Sequence, residues 1–236
     1  MVKLLELPDA LKNRRQHTLF DDFDYYIDAD LWTATLTDTG TAAVGDAANG
    51  VITLTPSDGS VADNDEAYLE STKEVFQLAA DKPLLFEANV YFAEANTDDA
   101  NVIVGLKDAV GANTLVDDGA GPPADYDGAV FYKVDGETVW RVESSNGTAQ
   151  TTSVTDETAG GAYQKLGIEV RPINSTTAEV LFYVDDRQVK DSSGNLIKHT
   201  VALASQTELQ VCFGVKNGGA NNQTLLIDYV CCTQLR

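Results

Sequence analysis

The feature that most restricts what this chain can fold into is a strict two-residue alternation across residues 84–106, LLFEANVYFAEANTDDANVIVGL. Leu84, Phe86, Ala88, Val90 and Phe92 alternate with Leu85, Glu87, Asn89 and Tyr91. A period of two belongs to a strand with one apolar face; on a helix the same residues would be spread around the axis. Residues 95–100 are polar and turn-like, and Val102, Val104 and Leu106 give a second alternating run. The simplest expectation is an antiparallel pair whose apolar faces lie on one side.

The rest of the chain repeats this grammar. Strands are expected at 51–55, 67–70, 74–77, 128–134, 137–143, 148–154, 162–171, 178–185, 209–215 and 224–232. In 178–185, Val180, Phe182 and Val184 point inward and Leu181 and Tyr183 outward. Pro56-Ser57-Asp58-Gly59, Asp135-Gly136, a turn over 144–148 and Gly218-Gly219 supply turn chemistry between them. Residues 108–126 form a long loop, the kind of segment on which function tends to sit, and His199 falls in a loop. No helix longer than two turns fits after residue 16. Many short strands at such spacing indicate a β-sandwich or jelly roll. A short N-terminal arm, residues 1–18, precedes one domain over 19–236. The arm is basic on an acidic chain: Lys3, Lys12, Arg14 and Arg15 stand against Glu6 and Asp9, while the whole chain carries a net charge of -21.

That charge repels nucleic acid and anionic membranes, so neither is expected as a partner. No stretch reaches the roughly 20 apolar residues of a membrane span. The opening residues lack a signal peptide's apolar core and cleavage site. Cys212, Cys231 and Cys232 read as reduced, small apolar residues. The glycosylation-like triplets at Asn146, Asn174 and Asn222 read as ordinary loop sequence.

Several stretches together resemble the concanavalin A-like, laminin-G-like jelly roll, over about residues 19–236. They are Phe20-x-x-Phe23 followed by Trp32, the 86–92 and 102–106 runs, Asp127-Gly-Ala-Val-Phe-Tyr-Lys, and Leu181-Phe-Tyr-Val-Asp-Asp. The resemblance implies that the first strand pairs with the last, Leu225-Leu-Ile-Asp-Tyr-Val. The 86–106 pair, the 127–133 strand and the closing strand also resemble proteins of tailed-bacteriophage virions, notably head decoration or accessory proteins. That resemblance implies a non-enzymatic structural role in a virion assembled in the host cytoplasm. The major capsid protein or another virion protein would be the partner, and Lys3, Leu4, Leu5, Leu7, Lys12, Arg14 and Arg15 would dock on it. Self-association through uncovered sheet edges is expected as well.

The alternative is a carbohydrate-binding, lectin-like module contacting host glycans. Its candidate contacts are Asn89, Tyr91, Tyr132 and Tyr183, since rings stack on sugars and amides bond to hydroxyls. Trp140 alternates with Thr138 and Val142 and reads as core. A third reading, a glycoside hydrolase of the same fold, needs two carboxyl groups about 5–10 Å apart. Glu66 and Glu70 share a strand face but lack the Glu-x-Asp-x-Glu type of spacing. Cys212 has no basic neighbour in sequence to activate it. No zinc, phosphate-loop or triad pattern is present, so no enzyme activity, metal or cofactor is expected. Asp21, Asp22 and Asp24, or Asp63, Asn64, Asp65 and Glu66, have the hard oxygens calcium takes, without a recognisable calcium-loop spacing.

Overall fold

The computed structural model describes residues 15–57, 59–94 and 98–236. Residues 16–236 contain no helix among those described, and their strands form two antiparallel sheets. The first sheet takes β1 (Gln16–Asp21), β3 (Thr41–Val44), β4 (Ile52–Thr55), β6 (Leu84–Ala93), β11 (Gln164–Pro172), β12 (Thr177–Val184), β13 (Arg187–Gln188), β14 (Lys198–Ala202) and β16 (Thr224–Leu235). The second takes β2 (Trp32–Leu36), β5 (Glu66–Ser71), β7 (Ala100–Lys107), β8 (Asp127–Lys133), β9 (Val139–Asn146), β10 (Gln150–Thr158) and β15 (Gln210–Asn217). The first runs in the order β13-β12-β11-β6-β16-β4-β3, with β14 also on β12 and β1 also on β16. The second runs β10-β9-β8-β7-β15-β5-β2. This is the all-β, concanavalin A-like jelly-roll sandwich.

The alternation in β6 is kept residue for residue: Leu84, Phe86, Ala88, Val90 and Phe92 are buried and the intervening residues are half-buried. They meet the inward residues of the second sheet, with Phe86 against Phe213 at 6.5 Å and Phe92 edge-on to Trp140 at 5.7 Å between ring centroids. Each large apolar side chain withdrawn from water there contributes about 1.5–3 kcal/mol. Trp32 and Trp140 both lie in this core.

The expected pairing of residues 84–92 with 101–107 does not occur. β6 hydrogen-bonds to β11 and β16, and β7 to β8 and β15. The two strands belong to opposite sheets. Alternation fixes which face of a strand is apolar; it does not distinguish a hairpin from a crossing between sheets.

The first and last strands do pair, antiparallel, with Phe20 opposite Cys231. Pairing begins at Gln16, inside the segment assigned to the arm. Other differences are local. Residues 74–77 make a single bridge, Phe76 to Leu209, rather than a strand. Ser144 and Ser145 belong to β9, and the turn falls at Gly147, whose φ is 73°. The Asp135-Gly136 connection is longer than a two-residue hairpin, since Tyr132 and Arg141 are the last paired residues. His199 sits buried on β14, not in a loop. The three cysteines are free.

Candidate functional site

The four residues expected to contact glycan fall on opposite outer faces. Asn89, Tyr91 and Tyr183 project from β6 and β12 of the first sheet, and Tyr132 from β8 of the second. Each already has a partner. Asn89 donates to Asp228 at 2.8 Å, Tyr91 packs on Tyr163 at 5.6 Å, and the Tyr183 hydroxyl donates to Glu169 at 2.9 Å. Tyr132 is buried beneath Gly121, in a second apolar cluster. Of the arm residues, Lys3, Leu4, Leu5, Leu7, Lys12 and Arg14 lie outside the described residues. The Arg15 carbonyl accepts from the Arg236 amide at 2.8 Å.

The second cluster shows what the long loop does. Tyr68, Ile103, Val130, Tyr132, Val134 and Cys212 form an apolar outer face on the second sheet, and Leu115 and Tyr126 of the loop close over it. Buried charges clamp the loop down. The Lys216 ammonium, fully buried, reaches Glu66 at 3.1 Å, Asn113 Oδ1 at 2.9 Å and the Leu115 carbonyl at 2.8 Å. Glu66 also accepts from the Asn113 amide and the Tyr68 hydroxyl, both at 2.9 Å. At the other end the Tyr126 hydroxyl donates to Glu143 at 3.0 Å, and burial pushes that carboxyl's pKa up. The loop therefore covers this part of the second sheet's outer face.

The Cys212 thiol lies in this cluster. Burial raises its pKa to about 12; Lys107, unseen as a neighbour in the sequence, opposes that shift without overcoming it. Glu66 and Glu70 share the outer face of β5, but the first is spent on Lys216. Glu70 is raised to about 7, chiefly by burial and then by the Asp28 charge.

At one end of the second sheet several connections converge, because the starts of β5 and β7 adjoin the ends of β8 and β15 through the registers Lys216 to Glu66, Asn217 to Ala100 and Val102 to Lys133. These connections carry Asp63, Asp99 and Asp135, and the long loop brings Asp118 beside them. Asn64 and Asp118 bind each other, the Asp118 amide donating to Asn64 Oδ1 at 3.1 Å. The Gly218 amide donates to the Asp99 carbonyl at 2.8 Å. Asp135 lies between two glycines: a Cβ on Gly119 would come within 1.9 Å of its Oδ1, and one on Gly218 within 2.4 Å of its Cβ. Gly119 also has φ +69°, a conformation that favours glycine. The Asp135 carboxyl pKa is raised, first by burial and then by Asp63, with Asp99 and Asp118 adding and Lys133 opposing.

Beneath them Asn101 is only 2% exposed. Its Oδ1 accepts from the Asp135 amide at 2.9 Å, and its Nδ2 has no hydrogen-bond partner among the described residues. A buried amide left with an unused donor is costly. The end of the sheet thus combines carboxylate acceptors, one unused amide donor and close glycine backbone.

No group of three or more His, Cys, Asp or Glu side chains with metal-holding geometry occurs among the described residues. Of the acidic residues considered for calcium, Asp21 accepts from the Trp32 indole at 2.7 Å and the Phe23 amide at 2.8 Å, and Asp65 from the Ala62 amide at 2.7 Å. Sequence reasoning missed the converging end because Asp98-Asp99, Asp135-Gly136 and Gly218-Gly219 each read as a turn, and Asp117-Asp118-Gly119 as part of a long loop with nothing to tie it to them. Two of the four, Asp118-Gly119 and Asp135-Gly136, set acid beside glycine, and the other two share no local signal with them.

No family model and no curated protein matches the chain. Solved structures do. The carbohydrate recognition domain of Emp47p superposes with a TM-score of 0.58 at 11% identity, covering 92% of this chain and 96% of that one. The lectin UEA-II, solved with galactose, gives 0.52 at 12% identity over 92% and 98%. The endo-β-1,4-glucuronan lyase of the fungus Trichoderma reesei gives 0.52 at 10% identity over 91% and 94%. At such identities the likeness is one of fold.

Proposed function

We propose that the protein is a lectin-like glycan-binding module whose ligand sits at the converging loops, over Asp63, Asp99, Asn101, Asp118 and Asp135. The observation that carries this reading is the convergence of Asp63, Asp99 and Asp118 on the Asp135 carboxyl, which sits between Gly119 and Gly218. Sugar hydroxyls donate to carboxylate oxygens, so one ring can bond to several of these aspartates at once. The carbohydrate-recognition domains of similar fold support it. The carboxylates repel uronates, so neutral or amino sugars are the expected class, bound without turnover.

Adhesion to a virion draws no support from the similar structures, and most of the arm residues assigned to it lie outside the described ones. A glycan array followed by calorimetry tests the glycan reading. Neutral or amino-sugar hits are expected. The double change Asp63→Ala and Asp118→Ala, at exposed positions, should weaken them at least about tenfold, or 1.4 kcal/mol, with an unchanged melting temperature. An array empty at high protein concentration, or binding that survives the double change, would overturn it.

A further inference from the structure

A groove of about 320 Å³ opens on the side of the sandwich far from the glycine-flanked aspartates in sequence, between β1 and the segments around residues 30–31 and 71–75. His17, Phe20, Asp30, Leu31, Lys73 and Val75 line it. Its apolar walls are not covered: Phe20 is 59% exposed, Leu31 45% and Val75 40%. Single exposed apolar residues are ordinary; several around one concavity mark a contact surface. Among the described residues β1 pairs with β16 alone, so its other edge is unpaired where it borders the groove. An unpaired edge beside apolar recesses suits an added extended segment, whose backbone pairs with the edge and whose alternate side chains fill the recesses.

We propose that this groove is the docking site for residues 1–14 of the same chain. Three observations choose that occupant. The segment is tethered at Arg15, two residues before His17 in the groove wall, so its local concentration is on the order of millimolar without any partner. Fourteen residues span up to roughly 45 Å when extended, enough to reverse and still run beside the four β1 residues that line the groove. Its chemistry is complementary: Leu4, Leu5, Leu7 and Leu11 match the apolar walls, and Lys3, Lys12 and Arg14 match Asp30 in the wall and Asp21, Asp22 and Asp24 just after Phe20.

The experiment is hydrogen exchange by mass spectrometry on the full chain, the chain lacking residues 1–14, and the full chain carrying Leu4→Ser, Leu5→Ser and Leu7→Ser, at several protein concentrations. Segments 16–21 and 72–76 should exchange at least about tenfold faster in the truncated and serine chains, with the other strands unchanged. Protection in the full chain should not depend on concentration. Adding a synthetic peptide of residues 1–15 to the truncated chain should restore it. The serine chain keeps the domain whole, so a folding defect in the truncated one cannot mimic the result. Equal exchange in all three chains would overturn the proposal. So would protection that persists in the truncated chain and grows with concentration, since a second copy would then cover the groove.

Discussion

His199 shows how much one buried side chain can govern. Its ring lies 5.2 Å from Phe182, with Nδ1 3.1 Å from the Ser144 hydroxyl and Nε2 3.0 Å from that of Ser153. Hydroxyls can satisfy a neutral ring whichever nitrogen holds the proton. No carboxylate among the described residues partners the ring, and burial lowers its pKa from 6.5 to about 4. A base with a folded pKa below its unfolded one favours the neutral folded form. Its contribution is therefore fully present above pH 6.5 and is lost as the pH falls through 4, amounting to roughly 3 kcal/mol over that window. Urea melts of the protein and of His199→Gln at pH 7 and pH 4 check this: the variant should lose much less stability between the two. Equal losses would mean that carboxylates alone set the acid limb. In the sequence His199 read as a loop residue, because the short strand around it is punctuated by charge and Thr. Its burial comes from Ser144 and Ser153 on strands more than forty positions away.

At the scale of elements, the long loop and the sheet beneath it form one unit through Lys216. The ammonium, Glu66 and the loop carbonyl of Leu115 are all taken from water together. Such an arrangement is weak evidence for net stability, but breaking it from one side strands a buried carboxylate. Lys216→Met should cost about 3–5 kcal/mol, and the loss should register first as faster amide exchange across residues 108–126. Unchanged exchange there would mean the apolar contacts of Leu115 and Tyr126 hold the loop unaided. That residues 108–126 form a long loop was legible in the sequence; that it folds onto the sheet was not. Lys216 looks like a surface charge in a strand, and its partners Glu66, Asn113 and Leu115 come from 101 to 150 positions earlier. The same limit applies to β6 and β7. Their inward residues were readable from period two, while their placement in opposite sheets depends on β11, β16, β8 and β15.

For the whole molecule, closure of the first strand on the last ties the N-terminal end into the sandwich. Leu19 lies in the core, and Asp21 holds the Trp32 indole. Losing Leu19 alone costs about 2–5 kcal/mol. Truncation through Asp21 should lower the melting temperature by roughly 10 °C, whereas removing only residues 1–14 should move it far less; calorimetry of the two chains separates them. While the pairing of the ends was an implication of the family resemblance, the sequence by itself determined that the chain is all-β, which face of most strands is apolar, and that Trp140 is core. These follow from side-chain periodicity and turn chemistry, which act between near neighbours. Only the tertiary structure decided which strands share a sheet, that a loop covers the second sheet's outer face, and that Asp63, Asp99, Asp118 and Asp135 meet over the unused Asn101 amide. Those outcomes depend on strand order, which is fixed by the joint burial of residues far apart in the chain and leaves no local period to read.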